Sequence, residues 1–178
     1  FGPNHRTGSA FSAHIANFHP PGWDTPDNLD GNNGRYYSVR LSDNVEIFCL
    51  NPGWNTSMAE QQNLDEQYVE TLEPGGIVPD SRQWLWCKQA LQASTATWKI
   101  VFFHYPPYTS SSSNRMPGYY AMRWPFKEWG ASAVLSGHIH AYERLTVDGL
   151  LYMIGGWSGA VSNSQFSTPY SIGSQVRY

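Results

Sequence analysis

Short apolar runs alternate with polar stretches rich in Gly, Pro, Ser and Asn, and the spacing of those runs predicts the elements of the chain. Arg35 to Leu41 and Val45 to Leu50 read as two strands joined by Ser42-Asp43-Asn44, a hairpin by loop length. Trp98 to Phe103 is a β-branched and aromatic run of the kind expected of a buried strand, and Pro106-Pro107 cannot continue a central sheet. A strand follows at Ser132 to Leu135. Tyr142 to Val147 and Leu150 to Ile154 then make a second hairpin around Asp148-Gly149. Between these strands, Asp80 or Ser81 starts a helix running to about Ala93. Asp80 is its expected N-cap, and Trp84, Leu85, Cys87, Lys88 and Leu91 span its inner face. Met58 to Leu72 is compatible with a helix ended by Pro74-Gly75-Gly76, and a short helix is expected near Phe126 to Trp129. The start of the chain, rich in Pro, Gly, Asn and His, reads as irregular loop, and Thr109 to Asn114 as a surface linker. Helices between strands indicate a layered α/β domain.

Length and composition narrow this to one ordered unit. At 178 residues the chain can bury a core, and no shift in composition marks a second domain. Charged residues are 14% and apolar residues 40%, which excludes a disordered chain. The net charge of −3, without a basic run, disfavours a nucleic-acid-binding patch. No stretch approaches the ~20 apolar residues of a membrane span. Cys49 and Cys87 lie in apolar surroundings and read as buried free thiols, whereas a bridge between them would point to an oxidising compartment. Most of the eight tryptophans belong to the core, and only Trp23 and Trp54 lie in stretches polar enough to be exposed. Asn55-Thr56-Ser57 is a glycosylation sequon.

The candidate chemistry sits at strand ends. Gly137-His138-Ile139-His140 follows Ala133-Val134-Leu135, and in an extended segment residues i and i+2 fall on one side of the backbone. Neutral imidazole is a common ligand for borderline metals, so the pair reads as the edge of a metal site. His104 sits where the Trp98 to Phe103 strand stops, at the carboxyl end favoured by ligands in open α/β sheets. Asn4-His5 follows the turn-forming Gly2-Pro3 and offers a carbonyl oxygen and a proton carrier. His14 and His19 read as exposed loop residues, and Arg144 as one member of a structural ion pair.

Taken in order, Asn4-His5, His104-Tyr105-Pro106-Pro107-Tyr108 and Gly137-His138-Ile139-His140-Ala141-Tyr142-Glu143-Arg144 resemble the C-terminal motifs of the calcineurin-like metallophosphoesterases, in the branch similar to purple acid phosphatases. Glu73-Pro74-Gly75-Gly76-Ile77, Ser81-Arg82-Gln83-Trp84-Leu85 and Trp124-Pro125-Phe126-Lys127-Glu128-Trp129-Gly130 read like the same family. The resemblance implies a four-layer α/β/β/α sandwich, incomplete at both ends, with residues 1–178 forming part of one catalytic domain. It implies that Asn4, His104 and His138 ligate one metal and His140 the neighbouring one, with His5 contacting the phosphate and protonating the leaving group. Two divalent or trivalent ions, zinc, manganese or iron, would serve as cofactors, and nitrogen and oxygen donors without thiolate suit them. The implied partners are a phosphoester substrate and the remainder of a longer polypeptide. An extracytoplasmic or secreted setting is the one the resemblance favours.

The family also uses acidic ligands N-terminal to Asn-His, so the Asn/His half alone is expected to be inactive and to hold metal weakly. Pro3 and Arg6 depart from the family's usual Gly and acidic residue, altering the turn that aims Asn4 and the basicity of His5. A degenerate phosphoesterase-like domain serving as a structural or interaction module is the alternative these departures fit. Gly156-Trp157-Ser158-Gly159-Ala160 nearly matches a nucleophile elbow, but no histidine follows His140 to complete a serine hydrolase.

Overall fold

The computed structural model describes residues 36–52, 77–110, 120–156 and 176–177. Among the described residues seven strands form one mixed sheet: β1 (Tyr37–Ser42), β2 (Val45–Cys49), β3 (Trp98–Phe102), β4 (Ala133–Ser136), β5 (Tyr142–Val147), β6 (Leu150–Gly155) and β7 (Val176–Arg177). Their order across the sheet is β1-β2-β3-β4-β6-β5-β7. The two expected hairpins are present as the antiparallel pairs β1–β2 and β5–β6. β2, β3, β4 and β6 run parallel, so their carboxyl ends gather at one edge of the sheet.

Helix α1 (Arg82–Ala93) crosses from β2 to β3 and covers one face. Its Gln, Leu, Lys and Ala content favours helix, and neither Gly nor Pro interrupts it. Ser81, rather than the expected Asp80, is the N-cap and accepts the Trp84 N–H at 3.4 Å. Asp80 takes φ +67 and turns the chain into the helix instead. At the other end, Ser94 leaves the helix in an extended conformation, and its hydroxyl donates to Glu46 at 2.6 Å. The buried stripe is Gln83, Cys87 and Leu91, at four-residue spacing; Leu85, expected on the inner face, is 39% exposed. Gln83 is tolerated there because its amide exchanges hydrogen bonds with the Asn51 backbone, accepting at 2.7 Å and donating at 2.8 Å.

Under α1 the sheet contributes Phe48, Val101, Phe103, Val134, Leu145 and Tyr152 to a core completed by aromatic residues. Trp84 meets Trp129 edge-on at 4.8 Å, and Phe103 lies 5.9 Å from Phe126. The Trp124 indole donates to the Ala121 and Ile77 carbonyls, which fixes a buried N–H. The segment expected as a short helix near Phe126 to Trp129 is instead a run of turns, closed by Trp129 N–H to Pro125 O and Gly130 N–H to Lys127 O. A single 3₁₀ turn, Tyr120–Met122, precedes it.

Strand alternation puts Val39, Ile47, Trp98, Ile100, Phe102, Leu135 and Met153 on the opposite face. None of these is buried; Trp98 is 57% and Phe102 50% exposed. Trp98 therefore departs from the expectation that only Trp23 and Trp54 reach solvent. A sheet apolar on both faces requires cover on both, and this face is the place for the second sheet of an α/β sandwich. Both cysteines are free: Cys87 is buried and Cys49 half-buried. No described helix is long and apolar enough to cross a membrane. The expected helix at Met58 to Leu72, the sequon, Trp23, Trp54, His14 and His19 lie outside the described residues.

Leu91→Ala should lower the unfolding free energy by about 2–5 kcal/mol in chemical denaturation, because the cavity left under α1 cannot fully collapse. Leu85→Ala should stay within about 0.5 kcal/mol of the parent. Equal losses would mean that the helix is rotated from the packing described.

Candidate functional site

His104 and His138 reach one place because β3 and β4 are parallel neighbours in register, with Ile100, Val101 and Phe102 opposite Ala133, Val134 and Leu135. The ladder continues past both strands through Phe103 N–H to Leu135 O at 3.2 Å and Gly137 N–H to His104 O at 2.9 Å. That last bond fixes the start of each loop against the other. The imidazoles of His104 and His138 lie 5.3 Å apart, and the Tyr105 ring lies 4.8 Å from one and 4.6 Å from the other. A Cβ at position 137 would touch His104 Nδ1 at 3.5 Å, so glycine leaves that ring uncovered.

The loop after β4 is not extended, as the simple reading of alternating histidines expects. His138 has φ +62, a left-handed conformation costing about 1–2 kcal/mol for a residue with a side chain. Tight turns follow, with Ile139 N–H on Gly137 O at 2.7 Å and Ala141 N–H on Ile139 O at 2.8 Å. Ile139 is buried with Ala141 and Ile154, which pins the middle of the motif while His140 stays exposed. Gly156, at the end of β6, backs this loop so closely that a Cβ there would lie 1.8 Å from Ile139 O.

Electrostatics keep the two facing rings neutral. Burial lowers the His138 pKa to about 4, and His104 and His140 push it in the same direction. His104 is lowered by partial burial of its ring and then by His140. At neutral pH both rings therefore carry a free nitrogen lone pair, the form that binds a metal. Nitrogen donors without a nearby thiolate suit zinc, manganese or iron, so the residues present fit part of such a site. Among the described residues no group of three or more His, Cys, Asp or Glu is placed to hold a metal ion. Asn4 and His5 lie outside the described residues, as do residues 157–160 of the elbow-like segment.

The family profile of the calcineurin-like phosphoesterases matches residues 4–142. The chain belongs to that family. An acid phosphatase of Aspergillus ficuum is 31% identical over 156 residues, covering 76% of this chain and 25% of that protein. A phosphoenolpyruvate phosphatase of Allium cepa is 38% identical over 69 residues, covering 35% of this chain and 14% of that protein. Among solved structures, the anchor in the inner membrane complex of Plasmodium shares the fold, with a TM-score of 0.51 and 17% identity over 77% of this chain and 42% of that one. The chain spans about a quarter of the length of its fungal relative.

One residue of the phosphoesterase motif was missed by the sequence reading. Glu143 is fully buried and accepts hydrogen bonds from Thr109 and Ser110, while Arg144, expected to form an ion pair, is exposed and makes none among the described residues. Alternation along Tyr142 to Val147 already put Glu143 on the same side as Leu145 and Val147, an inward position for a charge. Thr109 and Ser110, read as surface linker, are buried by the same contacts.

Gly156→Ala should destabilise the protein by about 1–3 kcal/mol or more in urea unfolding, because the 137–141 loop must shift to admit the methyl group. Gly155→Ala, where nothing lies within 4 Å of an added Cβ, is the control and should change stability by under about 0.5 kcal/mol. Matching effects at the two positions would disprove the close approach.

Proposed function

We propose that this chain supplies the Asn/His half of a dinuclear metal site that hydrolyses phosphoesters. The observation that carries the reading is the pairing of His104 with His138, two neutral imidazoles 5.3 Å apart at adjoining carboxyl ends of a parallel sheet. Family membership and phosphatase relatives supply the reaction class. His104 and His138, with Asn4, hold one cation, and His140 holds its neighbour. When bound, such a pair of cations neutralises the phosphoryl oxygens and brings water into reach of deprotonation near neutral pH. Zinc, manganese and iron all suit this donor set.

The protein groups do the remaining work. Burial of the His138 ring removes competition from protons and keeps its donor nitrogen available. Tyr105 packs against His104 and His138 and restricts both rings, so that little rearrangement is needed on loading. His5 contacts the phosphate and gives a proton to the departing alcohol, which lowers the cost of cleaving a poor leaving group. The chain's phosphatase relatives favour an extracytoplasmic or secreted setting.

Elemental analysis of the full-length protein, with hydrolysis of p-nitrophenyl phosphate and its bis ester in parallel, tests the reading. Bound metal at the level of a dinuclear site with turnover of either ester is the expected result. His104→Ala and His138→Ala should each abolish turnover and weaken metal retention. His5→Ala should lower kcat by about 100- to 10,000-fold while metal content is unchanged. A folded protein supplied with zinc, manganese and iron that neither holds metal nor turns over either ester would refute the proposal.

A further inference from the structure

The most unusual buried group outside the histidine pair is the carboxylate of Glu143, which has no exposed surface. Thr109 Oγ1 donates to its Oε2 at 2.8 Å, and the Ser110 N–H donates to Oε1 at 3.0 Å and Oε2 at 3.2 Å. The Ser110 hydroxyl donates to Oε1 as well. Arg177 of β7 stands opposite it in register. A buried carboxylate is an expensive way to fill a core even when paired, since an apolar side chain of similar size usually stabilises at least as well. Its presence calls for a role that apolar packing cannot supply.

The donors identify that role. All belong to Thr109 and Ser110, five and six residues after His104 in the segment that leaves β3. In the sheet order β3-β4-β6-β5 two strands separate β3, which this segment leaves, from β5, whose Glu143 it reaches. On the way, Tyr108 packs on Tyr152 of β6 at 4.9 Å. Glu143 receives the segment on β5, three residues after His140. The segment is thus tied to the other histidine-bearing loop at His104 by Gly137 N–H on His104 O, and again at Thr109 and Ser110 by Glu143. Apolar contacts alone would let Thr109 and Ser110 slide; a carboxylate that accepts a backbone N–H and two hydroxyls fixes their position and orientation.

We propose that Glu143 is a positioning residue: it clamps the 104–110 loop to the strand that follows His140, and so holds the two histidine-bearing loops at a fixed separation. The proposal rests on the phosphoesterase reading only for its consequence in metal binding. Loss of a supporting hydrogen-bond partner typically weakens metal affinity 10- to 100-fold, and a loop released at Ser110 acts on His104 in the same way.

The test compares Glu143→Ala, Glu143→Gln and Leu145→Ala in the full-length protein. Leu145 is a buried neighbour on the same strand and face, so its loss reports destabilisation without loss of the clamp. Amide hydrogen exchange, read by mass spectrometry on a peptide spanning residues 104–110, should accelerate at least tenfold in Glu143→Ala and stay near the parent rate in Leu145→Ala. Glu143→Gln, whose amide oxygen still accepts the Ser110 N–H, should fall between. Zinc affinity of the metal-stripped protein, corrected for the folded fraction, should fall about 10- to 100-fold in Glu143→Ala and be unchanged in Leu145→Ala. Identical exchange and zinc affinity in Glu143→Ala and Leu145→Ala would overturn the clamp. A parent protein that holds none of zinc, manganese and iron and turns over neither ester would overturn the phosphoesterase reading instead, and hydrogen exchange would still decide whether Glu143 holds the loop.

Discussion

The parallel pairing of β3 with β4 is the constraint on which the rest of the site depends. Because the two strands run the same way in register, both end at the same edge, and the residues just beyond them are delivered side by side. The bond from Gly137 N–H to His104 O extends the ladder by one step after the strands stop. An antiparallel pair would carry these histidines to opposite ends of the sheet. Neutrality of the imidazoles follows from the same placement, since packing at the sheet end takes the His138 ring partly out of water.

Around that pairing the protein accepts several local costs. His138 adopts a left-handed backbone, Gly156 replaces side-chain packing with a bare approach to Ile139, and Glu143 puts a charge in the core. Each lies within a few residues of the histidines or touches the loop that carries one. Away from the site the construction is conventional: a capped helix, two hairpins and an aromatic core under α1. Strain and buried polarity concentrated in one region, with ordinary packing elsewhere, is how a fold aims side chains that would otherwise point to solvent.

The two faces of the sheet differ sharply. The face under α1 is closed by Cys87, Leu91 and the tryptophan cluster, whereas the other presents Trp98 and Phe102 at least half exposed. So broad an apolar surface is unstable in water on its own. It fits one half of a sandwich whose second sheet packs there, as in the metallophosphoesterase fold.

Much of this was legible in the residues themselves. The hairpins, the helix from Ser81 to Ala93 and the strand-end position of His104 follow from short-range patterns: alternation, a capping residue, a proline pair. The motif order from Asn4 to Arg144 was enough to indicate the family that the profile match establishes. What the sequence left undecided depended on which strand pairs with which, and on which face of each strand is covered. Trp98 and Phe102 belong to a run that reads as wholly buried, and only the placement of α1 shows that half of it faces outward. Glu143 reads as one charge in a polar triplet until Thr109 and Ser110 are seen to bond to it, a contact between residues 33 and 34 positions apart. Local pattern fixes elements because its forces act between near neighbours in the chain; the histidine pair and its carboxylate clamp exist only once the sheet has brought distant segments together.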